Sequence, residues 1–137
     1  MKPSITKYTK CQKGGRLNPG IKNDTLKFGD YGIVANQPAI ILSTHLISAQ
    51  LAIKRIIKRE GNLYFRVFPH TPVTKKPLEV RMGKGKGNVD HFIAKVQRGS
   101  IIIEIKCNIS QKAITALTVA KSKLPLSSSI IMKEMCL

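Results

Sequence analysis

The sequence predicts an α+β sandwich, in which two helices pack on one side of a mixed or antiparallel sheet. Two segments repeat apolar residues at spacings of three and four, as an amphipathic helix requires. Several short apolar runs are separated by glycine, proline and asparagine, as strands and turns are. The 137 residues are 42% hydrophobic, which is enough for one domain with a core. The expected order of elements is ββ-α-ββββ-α-β.

Strands are predicted where β-branched and aromatic residues cluster. Six of the seven expected strands are assigned to residues 28–34, 39–42, 63–68, 91–96, 100–106 and 127–132, and one of the four strands between the helices has no assigned range. A turn at 36–38 joins the first two strands, and Arg98-Gly99 is expected to be a hairpin turn between 91–96 and 100–106. Residues 69–77 contain three prolines and are expected to form a stiff, irregular connection. The aromatic side chains of 63–68 are expected in the core rather than stacked on bases.

Capping residues and glycines predict where the two helices begin and end. Ser43 or Thr44 is expected to cap the first helix, and Gly61 to end it in a left-handed conformation. Ser110 is expected to cap the second helix, and Pro125 follows its end. The buried faces are expected to be Leu46, Ala49, Ile53, Ile56 and Ile57 in the first helix, and Ala113, Ile114, Leu117, Ala120 and Leu124 in the second.

The charge balance predicts a polyanionic partner. Lysine and arginine number 24 against 7 acidic residues, which gives a net charge of +17 and a pI of about 10.2. A phosphate-rich partner supplies the counter-charge, so nucleic acid is favoured. A cationic membrane-surface protein is the weakest alternative, because neither predicted helix combines a broad exposed apolar face with its charge. No apolar run approaches the roughly 18 to 20 residues of a spanning helix. Glu104 interrupts the longest apolar strand.

No enzyme, cofactor or metal site is predicted. Cys11, Cys107 and Cys136 are odd in number and far apart in sequence, so neither a zinc motif nor a disulfide framework fits. The three histidines are scattered and lack a nucleophile motif. The few carboxylates are dispersed, and some of them are expected to brace basic neighbours.

Three basic segments are candidates for nucleic-acid contact. The first is an extended arm, residues 1–25, ahead of a single domain, 26–137. The second is the end of the first helix. Taken alone, its cations are explained equally well by a solvated face that the helix dipole stabilises and by RNA contact, and the net charge favours contact with RNA. The third is a loop, 79–90, that protrudes from the domain. Their cations are Lys7, Lys10, Lys13 and Arg16 in the arm, Lys54, Arg55, Lys58 and Arg59 in the helix, and Arg81, Lys84 and Lys86 in the loop.

The loop sequence, Arg-Met-Gly-Lys-Gly-Lys-Gly-Asn at 81–88, is the most informative stretch. Its glycines leave the backbone bare and permit positive φ, so a partner can approach closely. The spacing does not fit a nucleotide-binding enzyme. A P-loop requires Gly-Lys-Ser/Thr, and the dinucleotide fingerprint requires a following helix, whereas a strand is predicted after this loop.

Several motifs together resemble the L-sixteen family of large-subunit ribosomal proteins. They are Tyr-Phe-Arg-Val-Phe-Pro at 64–69, Pro-Val-Thr-Lys-Lys-Pro at 72–77, the loop at 81–88, Phe-Gly-Asp-Tyr-Gly at 28–32 and Ala-Lys-Ser-Lys-Leu-Pro at 120–125. The resemblance implies an α/β-hammerhead-like domain on large-subunit rRNA, near the central protuberance and the tRNA acceptor site. It implies RNA contacts through Arg66, the arm cations, Arg81, Met82, Lys84 and Lys86, with Gly83, Gly85 and Gly87 allowing close approach.

The sequence also departs from the family pattern. Thr44, Gln50 and Leu51 stand where arginines are common, and His70 replaces a usual aspartate. Lysine outnumbers arginine 18 to 6. These features suggest a mitochondrial ribosome, with the bacterial cytoplasm as the alternative. The expected partners are large-subunit rRNA, tRNA and neighbouring ribosomal proteins, and no membrane. The alternative function is an RNA-binding assembly or processing factor outside the ribosome.

Overall fold

The computed structural model describes residues 1–15, 17 and 25–133. The elements in this part of the chain follow the predicted order ββ-α-ββββ-α-β. They are β1 (Tyr31–Ala35), β2 (Ala39–Leu42), α1 (Ser43–Ile57), β3 (Gly61–Phe65), β4 (Thr71–Lys75), β5 (Asn88–Val96), β6 (Ile101–Cys107), α2 (Ser110–Lys121) and β7 (Ser128–Met132). The described residues of the arm contain no helix or strand. The predicted division at residue 25 stays a prediction.

The strands form two sheets, where one sheet was expected. A four-stranded sheet has the order β3-β6-β1-β7, and a three-stranded sheet has the order β2-β5-β4. Neighbouring strands are antiparallel throughout both sheets. The predicted α+β class is therefore confirmed. α2 packs on β1, β6 and β7 of the larger sheet, whereas α1 packs on α2 and reaches β2 and β5 of the smaller one.

The predicted hairpin between β5 and β6 is wrong. Arg98 and Gly99 do form a turn, in which the Ser100 N–H donates to the Gln97 carbonyl at 3.2 Å and Gly99 has a φ of 81°. However, the Gly99 N–H donates to the carbonyl of Ala35 at 2.7 Å, and the Ala35 N–H donates to Ser100 at 3.0 Å. The turn thus binds the end of β1, and the chain passes from one sheet to the other. The turn at 36–38 also joins strands of different sheets.

The proline-containing segment is more regular than expected, because it contains β4. Pro72 lies inside this strand, paired in register with Phe92 of β5. β4 is an edge strand of its sheet, and an edge strand tolerates a residue that lacks an N–H. β5 begins at Asn88 rather than His91, so it rises directly from the glycine–lysine loop.

Both helices begin without the predicted side-chain caps. The residue at the N-cap is Leu42 in α1 and Ile109 in α2, and neither side chain accepts a capping hydrogen bond. In α1 the Leu42 N–H instead donates to His45 Nδ1 at 3.4 Å. The expected caps, Ser43 or Thr44 and Ser110, are therefore wrong: Ser43 and Ser110 are instead the first residues of their helices. Each helix follows a strand with little or no intervening loop, so the strand ending sets where the helix begins.

The end of α1 is also displaced from the prediction. Lys58, with a φ of 54° and a ψ of −112°, has the positive φ that was expected at Gly61. Gly61 is instead the first residue of β3, where a Cβ would lie 2.7 Å from the Lys106 carbonyl oxygen and 3.0 Å from a methyl of Ile57. Glycine is thus required at this position by the close approach of β6 and α1.

The core lies between the two helices and the sheets, and it includes Ile41 of β2 and Val96 of β5 together with residues of the larger sheet. The predicted face of α1 is confirmed, with Leu46, Ala49, Ile53 and Ile57 buried and Ile56 partly buried against them. In α2 the prediction of Ile114 is wrong, since its side chain is 38% exposed and Ala116 is buried in its place. Each fully buried isoleucine or leucine contributes about 1.5–3 kcal/mol through the hydrophobic effect.

Candidate nucleic-acid interface

The glycine–lysine loop projects from the edge of the smaller sheet, between β4 and β5. Residues 77–86 are exposed, and Met82 is 98% exposed. Gly83, Lys84 and Gly85 have φ values of 88°, 56° and 84°. A Cβ on Gly83 or Gly85 would meet nothing within 4 Å, so the left-handed backbone, and not crowding, favours glycine there. Lys84 has this conformation despite its side chain, at a cost on the order of 1 kcal/mol or more.

Two contacts hold the loop, one from its start to the tip and one between its two ends. The Lys76 ammonium donates to the Gly83 carbonyl at 2.6 Å. A Cβ on Gly87 would lie 2.6 Å from the Lys75 carbonyl oxygen, so the two ends of the loop approach within a distance that only glycine allows. The loop therefore has a fixed base and an open, cationic tip.

The arm and the loop contact each other, although more than 70 residues separate them in sequence. The Lys10 ammonium donates to the carbonyl of Lys86 at 3.0 Å, and the Lys86 ammonium donates to the carbonyl of Cys11 at 2.5 Å. These hydrogen bonds bring Lys10 of the arm beside Lys86 of the loop. We call the result the arm–loop surface; it consists of Lys7, Lys10, Lys13, Arg81, Lys84 and Lys86. The predicted contact Arg16 lies outside the described residues.

The helix cations form a separate basic surface. Lys54, Arg55, Lys58 and Arg59 are exposed at the C-terminal end of α1. Cations in this position interact favourably with the helix dipole. Their location is therefore compatible with both interpretations given by the sequence, a solvated helix end and a second phosphate contact.

Arg66 differs from the other predicted contacts because it lies inside the fold. Its side chain is 13% exposed and forms an ion pair with Glu104, whose side chain is fully buried. The same guanidinium lies 5.7 Å from the centre of the Phe28 ring and reaches the Thr25 carbonyl at 3.4 Å. Phosphate binding by Arg66 stays a prediction, and the fold gives this residue an internal anionic partner.

The sequence identified Glu104 as a carboxylate within an apolar strand, but it did not reveal the hydrogen-bond partners of this side chain. Its Oε2 accepts hydrogen bonds from the backbone N–H groups of Phe28, Gly29 and Lys27 at 2.7, 2.9 and 3.2 Å. Burial raises the pKa of Glu104, but the bonds from Phe28, Gly29 and Arg66 together outweigh burial, and the pKa falls below its ordinary value. The carboxylate is therefore ionised, and it fastens residues 27–29 to the sheet.

The expectation that acidic residues brace basic neighbours is confirmed at Glu104 and also at the surface. The Lys112 ammonium donates to Glu60 at 2.6 Å, and the His91 and Asp90 side chains are 2.9 Å apart. A lone carboxylate within a run of isoleucines was the available signal for a buried pair. Its arginine partner could not be read from sequence, because 38 residues separate them.

The aromatic side chains divide between core and surface. Phe65 is partly buried against the core, as expected, and Tyr64 stacks on Phe28 with ring centres 5.6 Å apart. Phe68 is 49% exposed, so its predicted place in the core is wrong. The sequence offered one signal for this: Phe68 directly precedes a proline, where a strand commonly ends.

The described residues provide neither a metal site nor a membrane-spanning helix. Across 1–15, 17 and 25–133, no group of three or more histidine, cysteine or acidic side chains could hold a metal ion. Within the same ranges, neither helix has the length and apolar character needed to cross a membrane.

Comparison with known proteins assigns a family to this arrangement. A family model described as ribosomal protein L16p/L10e matches residues 3–131. Over 133 residues, the chain is 42% identical to large ribosomal subunit protein uL16 of Thermus thermophilus, covering 96% of this chain and 94% of that protein. It is 43% identical to uL16 of Blochmanniella pennsylvanica, with coverages of 96% and 97%, and 38% identical to uL16 of Borreliella burgdorferi, with coverages of 98% and 97%.

Proposed function

Since the chain belongs to the ribosomal protein L16p/L10e family and is a structural protein of the large ribosomal subunit, we propose that it binds large-subunit rRNA near the central protuberance and the tRNA acceptor site. There it supports subunit assembly and tRNA positioning in translation. Its partners are large-subunit rRNA, tRNA at or near the acceptor site, and neighbouring large-subunit proteins. The prediction that the chain is not an enzyme is confirmed by the family, whose members are structural.

The arm–loop surface is the observation that carries this proposal. Its ammonium groups at Lys10 and Lys86 donate to backbone carbonyls, and no carboxylate in the described part of the chain compensates their positive charge. Like charges are thereby held together on two segments that bury little apolar surface. Such an arrangement is unfavourable in isolation and becomes favourable when phosphates lie between the cations.

RNA binding by this surface relies on charge and shape. Cations that contact phosphates provide affinity without reading sequence, and A-form RNA is recognised mainly through its shape and backbone. The glycines of the loop let its backbone approach RNA closely, and the fully exposed Met82 offers an apolar contact at the same place. The cations at the end of α1 provide a second set of phosphate contacts.

Salt dependence of binding tests this proposal. The full chain is titrated with a large-subunit rRNA fragment between roughly 50 and 200 mM salt, where several phosphate contacts reduce affinity by orders of magnitude. A steep, linear fall of log affinity against log salt is expected. A flat response would contradict a phosphate-binding surface. Residence on immature particles alone would instead favour the assembly-factor alternative.

The proposed location is the mitochondrial ribosome, with the bacterial cytoplasm as the alternative. The excess of lysine over arginine, 18 against 6, and the departures at Gln50 and Leu51 support the organellar assignment. The relatives described above are bacterial and are compatible with both locations. Fractionation of source cells, followed by detection of the chain in mitochondrial or cytoplasmic ribosomes, distinguishes them.

A further inference from the structure

A cleft of about 300 Å³ opens between the two sheets. One wall is the connection from β3 to β4, with Phe68 and His70, and the other comes from β5, with Ala94, Lys95 and Val96. This volume is at the lower end of the range for small-molecule sites, so it suits a group the size of one nucleobase. Ala94 and Val96 are buried in β5, so this wall of the cleft is rigid.

Phe68 gives the cleft an aromatic face. About half of the side chain, 49%, is exposed, and the backbone on which it stands is fixed on both sides. Pro69 is buried, and the His70 Nδ1 lies 3.2 Å from the Phe68 carbonyl oxygen. The other half-exposed phenylalanine, Phe28, is stacked on Tyr64, so its ring is already used within the fold. A positioned, half-exposed ring is the form of aromatic side chain on which bases stack.

Lys95 and His70 provide polar groups around this ring. Both side chains are exposed. The Lys95 ammonium also lies beside the arm, since a Cβ on Gly14 would be 2.8 Å from its Nζ. A strand of RNA whose phosphates follow the arm would therefore pass the mouth of the cleft. Arg66 also lines the cleft, but its guanidinium is committed to Glu104.

We propose that this cleft binds one unpaired base of a single-stranded RNA segment, stacked on Phe68, with the adjoining phosphate on Lys95. His70 lies where its ring can hydrogen-bond to the edge of the base. The inference rests on the proposed function, because it assumes that the arm carries an RNA strand. It adds a base-binding site to surfaces that otherwise contact phosphates, and it predicts that part of the bound RNA is unpaired.

A short single-stranded RNA that contains one aminopurine, a fluorescent adenine analogue, tests the inference. The analogue loses fluorescence when it stacks on a ring. With the full chain we expect this quenching, and we expect Phe68→Leu to abolish it and weaken binding roughly tenfold, whereas Phe68→Tyr retains both. Lys95→Gln should weaken binding and preserve the residual quenching at saturation. Tyr8→Leu removes an exposed aromatic from the arm and should retain the quenching.

The controls separate failure of the cleft from failure of RNA binding. Circular dichroism and thermal melting show whether each variant remains folded, which is expected because the substituted side chains are exposed or half-exposed. If Phe68→Leu matches the unsubstituted chain, or if Tyr8→Leu loses the quenching, the cleft inference is overturned while salt-dependent rRNA binding still supports the proposed function. If the unsubstituted chain binds neither the short RNA nor an rRNA fragment, both are overturned.

Discussion

Arg66 and Lys84 carry the same charge in opposite settings. Arg66 is 13% exposed and is neutralised by the buried carboxylate of Glu104, within the larger sheet. Lys84 is exposed at the tip of a loop whose backbone has positive φ, where a Cβ on either neighbouring glycine would meet nothing within 4 Å. The first cation stabilises the fold, and the second is available to a ligand. A count of basic residues therefore overstates the proposed RNA-binding surface, because the counter-charge of each cation decides whether it is available to a ligand.

The largest loss of stability is expected from substitution of Glu104. Glu104→Gln leaves the Arg66 charge with a neutral partner and turns an amide toward three backbone N–H groups that need an acceptor. Removing one member of a buried pair costs about 3–5 kcal/mol, so the free energy of unfolding should fall by that order. Urea unfolding measures it. Glu60→Gln, which breaks the exposed pair with Lys112, is the control and should cost at most about 1 kcal/mol.

The lowered pKa of Glu104 determines the direction in which stability changes with pH. The folded pKa of Glu104 is lowered, so its contribution is fully present above the unfolded glutamate value of about 4.3. The contribution is lost as the pH falls through the lower folded pKa. Stability of the unsubstituted chain should therefore decline in acid more than that of Glu104→Gln, and the two should converge. A constant difference down to strongly acidic pH would contradict the assignment.

The base of the loop provides the next effect, on stability rather than binding. Gly87→Ala places a Cβ 2.6 Å from the Lys75 carbonyl oxygen, and such overpacking costs about 1–3 kcal/mol. Gly15→Ala, where a Cβ meets nothing within 4 Å, is the matched control. Thermal melting of both variants measures the difference. Equal melting temperatures would show that the base of the loop relaxes freely.

The smallest effect on stability should come from the loop tip, with a selective effect on binding. Lys84→Ala with Lys86→Ala should leave the melting temperature nearly unchanged, and should reduce the slope of log affinity against log salt by roughly 1.4–1.8, for two lost phosphate contacts. Lys121→Ala with Lys123→Ala removes the same charge at the end of α2. If both pairs lower the slope equally, net charge alone accounts for binding, and the arm–loop surface has no special role.

The sequence predicted local features well and long-range ones poorly. The helix faces at Leu46 and Leu117 follow from periodicity, because each helix buries one side. The glycine–lysine loop was predicted as exposed because nothing in it can form a core. The turn at Gly99 was also predicted, but its partner strand was not. The turn residues reverse the chain, but they do not specify that the Gly99 N–H and the Ser100 carbonyl bind Ala35 instead of closing a hairpin.

Two further misses have physical causes in the tertiary structure. β4 was expected to be irregular because of Pro72, and only its position at a sheet edge permits a strand there. The Glu104 cluster depends on residues 27–29, Arg66 and β6, which are brought together by the order of the strands. No local pattern specifies that order. For the same reason, the contact of Lys10 with Lys86 could not be predicted from either segment alone.

Sedimentation of source lysate tests the central claim, that the chain is a resident large-subunit protein held by its basic surfaces. The lysate is separated on sucrose gradients at low and high salt, and each fraction is probed for this chain. We predict that the chain stays with mature large subunits and translating ribosomes at low and moderate salt. Its presence only on immature particles, or its loss from the heavy fractions at modest salt, would contradict the account.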